Sequence, residues 1–163
     1  MITINTRVRP AVSADAAQMV KLLNAVIAAG GTTAHQTPLD VETMRSHYIA
    51  PPRLIACHVA ISNGRLSGFQ FLGTDTDREG WAIIATFVAL DRAKMGVGQK
   101  LFAATRFAAK EAGVKTIDAT IRADNVGGLK YYGGLGFADY DVLAQVPLRD
   151  GTPVDRIRKR FDF

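Results

Sequence analysis

Hydrophobic and polar positions alternate in two rhythms along this chain, and each change of rhythm marks an element. Thr6 to Ala11 alternates as a short strand ended by Pro10. The spacing then widens to three and four. Met19, Leu22, Leu23, Val26 and Ile27 share one helical face, Ser13 or Asp15 is placed to cap it, and Gly30–Gly31 stops it. The stretch "TTAHQTP" reads as a loop. Asp40 caps a second predicted helix from Val41 to about Tyr48, closed by Pro51–Pro52. Three strands follow. "LIACHVAIS" and "RLSGFQFLGT" are joined by Asn63–Gly64, a hairpin signal. "WAIIATFVAL" is apolar almost throughout, the pattern of a central strand covered on both faces.

Helical spacing returns from Gly96 to about Glu111, with Val97, Leu101, Thr105, Ala108 and Ala112 as the inward stripe and Lys100, Arg106 and Lys110 outward. "KTIDATIRA" is a strand. Asn125 opens a shorter helix that carries Tyr131 and Tyr132 and ends at Gly133–Gly134. "LGFADYDVLAQVPL" and "VDRIRKRFDF" are the last two strands, turned at Asp150–Gly151. The final one alternates basic residues with Ile157 and Phe161 and reads as an edge strand. The order β-α-α-β-β-β-α-β-α-β-β predicts an α/β (α+β) fold, one mixed sheet with helices on both faces. No linker composition interrupts it, so residues 1–163 are read as one domain.

Composition adds limits. With 48% hydrophobic and 21% charged residues, the chain can bury a globular core. A net charge of +5, with a cluster at Arg156, Arg158, Lys159 and Arg160, favours anionic ligands without arguing for nucleic acid. The single cysteine, Cys57, sits in an apolar strand and excludes an internal disulfide. Its neighbour His58 points to the opposite face, so the two do not make a nucleophile pair. His47 is likewise read as structural. No His and acidic residues cluster at metal-ligand spacing. "MITINTRVRP" lacks an apolar leader, and no apolar run approaches the ~18 residues of a membrane span, so a cytoplasmic protein away from membranes is expected.

"RAKMGVGQKLF" carries the first chemistry. Two glycines one residue apart, followed by an amphipathic run, suggest a phosphate-wrapping loop that opens a helix. A P-loop needs Gly-Lys-Ser/Thr, but Gly98 is followed by Gln99, Lys100 and Leu101. A dinucleotide loop needs a small residue where Leu101 stands, and Asp118, the acid at the right distance, lies in mid-strand.

A third reading fits better. Val88, then Gly96 and Gly98 before a helix, resembles the GCN5-related N-acetyltransferase (GNAT) family. Farther on, Asn125, Tyr132 and Gly136–Phe137 keep the family's second spacing. The resemblance is strongest over residues 81–140. Leu90 replaces the usual Pro, and Ala93 the usual Arg or Gln, between Arg92 and Lys94. The resemblance implies a mostly antiparallel sheet of six to seven strands and acetyl-CoA as acetyl donor. It assigns Val88 and Leu90 as backbone partners of the pantetheine arm. It assigns Ala93, Lys94, Gly96, Val97, Gly98 and Gln99 to the pyrophosphate loop, Asn125 to the cofactor arm, and Tyr132 as the acid that protonates the departing thiolate.

Glu79, at the start of the central strand, is the candidate base, and His35, in "GGTTAHQTP", the candidate acceptor contact. The expected activity is N-acetylation of a primary amine of a small molecule by direct attack on the thioester. Thr32–Thr33 in that loop faintly resembles the phosphinothricin acetyltransferase branch. Two alternatives stay open: a non-catalytic CoA-binding sensor or partner-binding module, supported by Ala93, and a protein- or RNA-directed acetyltransferase, supported by the basic balance. The family often forms homodimers, but nothing in the sequence places an interface.

Overall fold

The computed structural model describes residues 5–163. Among these residues seven strands form one sheet in the order β1-β2-β3-β4-β5-β7-β6. They are β1 (Thr6–Pro10), β2 (Leu54–Ser62), β3 (Arg65–Thr74), β4 (Trp81–Val88), β5 (Thr116–Arg122), β6 (Ala138–Pro147) and β7 (Pro153–Asp162). Only β4 and β5 run parallel; every other neighbouring pair is antiparallel. The β2–β3 hairpin turns through Asn63 (φ 51°) and Gly64 (φ 79°), two left-handed residues that match the strand twist.

Four α-helices cover the sheet: α1 (Ala16–Ala29), α2 (Val41–Met44), α3 (Val97–Glu111) and α4 (Val126–Gly134). Strand alternation sorts the core into two layers. On one face Met19, Leu23 and Met44 pack on Cys57, Val59, Phe69 and Phe71. On the other, Phe102 and Ala109 of α3 pack on Leu72, Ala82, Ile84 and Ile117. Val97 and Leu101 meet Ala60 on the same side. Among the described residues no helix is long and apolar enough to cross a membrane.

Three expectations are corrected. β7 is not an edge strand but lies between β5 and β6, paired to both. Most of its basic residues are neutralised there: Arg158 and Lys159 pair with Asp118 and Asp139 of the neighbouring strands, and Arg160 with Asp162 of β7 itself. The buried stripe of α3 keeps Val97, Leu101 and Thr105 but widens through Phe102 and Ala109, which join the layer that holds Ile117 of β5, while Ala112 is exposed. The second helix stays α-helical only to Met44 and finishes as a π-helical turn, Arg45–Ile49. Asp40 does cap it, accepting from the Thr43 amide at 2.7 Å.

Candidate active site

β4 and β5 are joined over three residue pairs only, Trp81–Ile83 with Thr116–Asp118. Beyond them β4 follows β3 as far as Val88, and β5 follows β7 as far as Arg122. The two strands therefore part, and the backbone groups of residues 84–88 that point toward β5 have no strand partner. Such groups seek other partners. The resulting wedge is open toward the C-terminal ends of both strands.

The chain leaves β4 through the exposed Leu90, a 3-10 turn at Leu90–Arg92, and an extended Ala93. Lys94 (φ 64°) and Gly96 (φ 81°) are left-handed, and α3 starts at Val97. No side chain caps α3. The first-turn amides of Val97, Gly98 and Gln99 thus lack intrahelical partners and sit at the positive end of a 15-residue helix. That arrangement suits a pyrophosphate, which needs N–H donors rather than particular side chains. The Ala93 side chain offers no hydrogen bond there. Of its neighbours, Arg92 lies 3.5 Å from Asp91.

Gly98 has a second reason to be glycine. A Cβ there would stand 2.4 Å from Cε1 of Tyr131. The Tyr131 hydroxyl donates to the Gly98 carbonyl at 2.7 Å, so α4 is fastened to the first turn of α3. A carbonyl only accepts, and the Tyr131 oxygen is therefore left to accept in turn. It does so from the Gln70 amide nitrogen at 3.0 Å, and the same nitrogen donates to Thr86 Oγ1 at 2.8 Å. Gln70 and Thr86 are direct cross-strand partners. Thr86 shares a 2.8 Å hydrogen bond with the Tyr132 hydroxyl. Thr86 can donate its own hydrogen to the Tyr132 oxygen while it accepts from Gln70. That direction leaves the phenolic proton of Tyr132 unspent.

Tyr132 is buried against Phe137. Burial pushes its phenol well above the usual value, and that of Tyr131 up to about 12. Both hydroxyls keep their protons at neutral pH. Adjacent helical residues point ~100° apart, and the sequence alone suggests that Tyr131 only packs. The structure instead ties both tyrosines into one chain of hydrogen bonds, because Gln70 and Thr86 lie side by side beneath them.

On the opposite face the loop between α1 and α2 bridges the wedge. Arg122, at the end of β5, donates to the Thr33 carbonyl at 2.9 Å. Asn125 caps α4 by accepting from the Gly128 amide at 2.9 Å, and its amide nitrogen donates to the Thr32 carbonyl at 3.1 Å. On the β4 side, His35 Nε2 shares a 2.8 Å hydrogen bond with the Tyr48 hydroxyl, and its ring lies 6.4 Å from that of Phe87. Burial lowers the His35 pKa, and His47 lowers it further, so the imidazole is neutral at pH 7. A cleft of about 480 Å³ is lined in part by His35, Gln36, Asp40, His47 and Arg149.

The structure does not bring Glu79 to this assembly. It is an exposed turn residue beside Gly113 and Lys115 at the C-terminal end of α3. Five residues of strand, about 17 Å at ~3.3 Å each, separate neighbouring Trp81 from Thr86. Asp118 is accounted for structurally: it accepts from Tyr140, from Thr120 at 2.8 Å and from Arg158 at 3.3 Å. Sequence reading misses Gln70, Thr86, Tyr48 and Arg122. A signal exists for two of them, since Gln70 and Thr86 are lone polar residues inside apolar strand runs.

Solved structures share this architecture. The yncA protein of Salmonella typhimurium, determined with its cofactor acetyl-CoA, is 20% identical, with 96% of this chain and 93% of that chain covered and a TM-score of 0.84. A GNAT superfamily phosphinothricin acetyltransferase of Sinorhizobium meliloti, in complex with AcCoA, is 16% identical over 97% and 88% of the two chains, with a TM-score of 0.84. The ribosomal-protein-alanine N-acetyltransferase of Brucella melitensis is 20% identical over 96% and 99%, with a TM-score of 0.82. These likenesses speak for the fold. No curated protein matches the chain. The sequence profile of the Acetyltransferase (GNAT) family matches residues 23–137, which contain the wedge, the glycine loop and the tyrosine pair, and the chain belongs to that family.

Proposed function

We propose that this protein transfers the acetyl group of acetyl-CoA to a primary amine of a small molecule, by direct attack of the amine on the thioester. The observation that carries the reading is Tyr132, a buried, protonated phenol held by Thr86 between the parted strands and linked through Gln70 and Tyr131 to the phosphate-binding turn. Acetyl-CoA supplies an acetyl thioester, whose carbonyl carbon takes the amine and whose sulfur departs as a thiolate. The amides of Val97, Gly98 and Gln99 hold the pyrophosphate, and the unpaired edge of β4 up to Val88 receives the arm's amides. N–H groups of the same edge are suited to stabilise the oxyanion. Tyr132 holds the proton that the departing sulfur needs. Positioned phenols serve as such donors.

His35 suits the other proton. It lies against Phe87 and Tyr48, and its neutral imidazole can accept from the attacking amine directly or through water. Asn125 spends its amide on the α4 cap and on Thr32, which supports a role in holding the acceptor loop beside any contact to the cofactor arm. Incubation with acetyl-CoA and a panel of primary amines, followed by thiol release, tests the reading. Stoichiometric thiol and N-acetylated product are expected. Tight CoA binding without thiol release for any amine would instead identify a non-catalytic CoA-binding module.

A further inference from the structure

We propose that Arg156 and Arg122 form an anion subsite that takes a carboxylate or phosphorus oxyanion carried by the amine acceptor. The proposal rests on the acetyl-transfer reading and names its substrate class.

Arg122 of β5 and Arg156 of β7 are direct cross-strand partners, so both side chains stand on the same face of the sheet. Like charges directly opposite each other destabilise a strand pair. The neighbouring arginines of this face are neutralised. Arg122 meets Asp124 at 2.7 Å, Arg158 meets Asp118 at 3.3 Å, and Arg160 meets Asp162 at 3.0 Å. Arg156 is the exception: no carboxylate lies within ion-pair distance of it among the described residues, and its Nε is buried without a hydrogen-bond partner. The carboxylate next to it in sequence, Asp155, is engaged by the Gln145 amide at 2.7 Å. An ordinary surface arginine satisfies its Nε with water. This one keeps a half-buried charge and an unmade hydrogen bond beside a second guanidinium, and an anion between the two would relieve both.

The pair is also in the right place. Arg122 holds Thr33, so the arginines stand on the β5 side of the wedge, under the loop whose His35 reaches the β4 side. The β6–β7 turn closes over the same loop: Arg149 donates to Thr37 Oγ1 at 2.9 Å, and the Asp150 amide donates to Gln36 Oε1 at 2.9 Å. An amine entering under this loop to reach the thioester would pass between His35 and the two arginines. An acceptor with an anionic group beside its amine satisfies both walls at once. Charge-assisted pairing of this kind discriminates by about tenfold or more between an acid and its neutral amide.

Two measurements test this on the full chain. In the first, acetate, methylphosphonate and acetamide are added at matched ionic strength and the melting temperature is followed. The anions should raise it and acetamide should not. Arg156→Gln should abolish the rise and Arg156→Lys should keep part of it. Without ligand, Arg156→Gln should melt no lower than wild type, since it removes one of two opposed charges. In the second, thiol release is compared for amino acids, aminophosphonates and their neutral amides or esters. The acid-to-amide ratio of kcat/KM should be about ten or more in wild type and fall toward one in Arg156→Gln, and the better of the two acid classes identifies the anion. Equal use of acids and amides by wild type, or a melting response unchanged in Arg156→Gln, would overturn the subsite. Absence of turnover with every amine would overturn acetyl transfer instead, and the melting experiment would still decide the subsite.

Discussion

The Tyr131 hydroxyl donates to the Gly98 carbonyl at 2.7 Å while its ring fills the space a Cβ on Gly98 would need. The first turn of α3 and helix α4 are therefore one unit, and that uncapped turn shares a hydrogen-bond chain with Tyr132, the proposed proton donor.

Gly98→Ala should consequently act on both. The added methyl must push aside an aromatic ring held at both ends, an overpacking that costs about 1–3 kcal/mol. Thermal melts should show the loss, and CoA titration should show weaker binding. Gly96→Ala provides the contrast. Nothing lies within 4 Å of a Cβ there, so its cost comes from the left-handed backbone (φ 81°) alone, about 1–2 kcal/mol. Equal melts for wild type and Gly98→Ala would contradict the packing argument.

Thr86→Val keeps the shape of the side chain and removes its hydroxyl. Gln70 would then have one donor without its partner and Tyr132 would lose its anchor. We expect stability to fall by about 1–3 kcal/mol and kcat to fall more than the affinity for CoA. Thr86→Ser should recover most of kcat. If valine and serine variants turn over alike, Thr86 does not position the donor.

Acidification gives a separate test. Burial lowers the pKa of both His35 and His58, and the Nδ1 of His58 is buried without a partner. The unfolded chain therefore binds more protons than the folded one between the lowered values and the ordinary value of ~6.5. Stability is full above that value and is lost as pH falls below it. The lowered carboxylates, Asp15 and Asp75 among them, add their loss only in more acidic solution. Melts between about pH 7.5 and pH 5 should show a decline that His58→Gln reduces. A flat profile would contradict the buried neutral histidines.

Much of this was legible in the chain. Asn63–Gly64, Asp40 and Asn125 fix a turn and two helix starts through local chemistry, and all three do so in the structure. The loop glycines and the Tyr132 spacing point to a family because they recur at fixed separations. What escaped depends on pairing across the sheet. Gln70 and Thr86 stand 16 residues apart and meet only through the β3–β4 register. β7 enters the sheet between β5 and β6, a choice its own alternation does not encode. Glu79 looks close to the site when position is counted from the start of β4, but the wedge opens only at the other end of that strand.

Asn125→Ala should separate loop support from cofactor contact. It removes a helix cap, worth ~1 kcal/mol, and releases Thr32. Steady-state kinetics should show a larger rise in acceptor KM than in the Kd for CoA. A change confined to CoA affinity would place Asn125 on the cofactor arm alone.

The most direct measurement is the turnover of Tyr132→Phe, with CoA affinity determined on the same preparation. The ring stays packed against Phe137, and the hydroxyl is lost together with its hydrogen bond to Thr86. The account predicts that kcat for thiol release falls by about 10²–10⁴-fold while the Kd for CoA changes little. Wild-type kcat in Tyr132→Phe would contradict it.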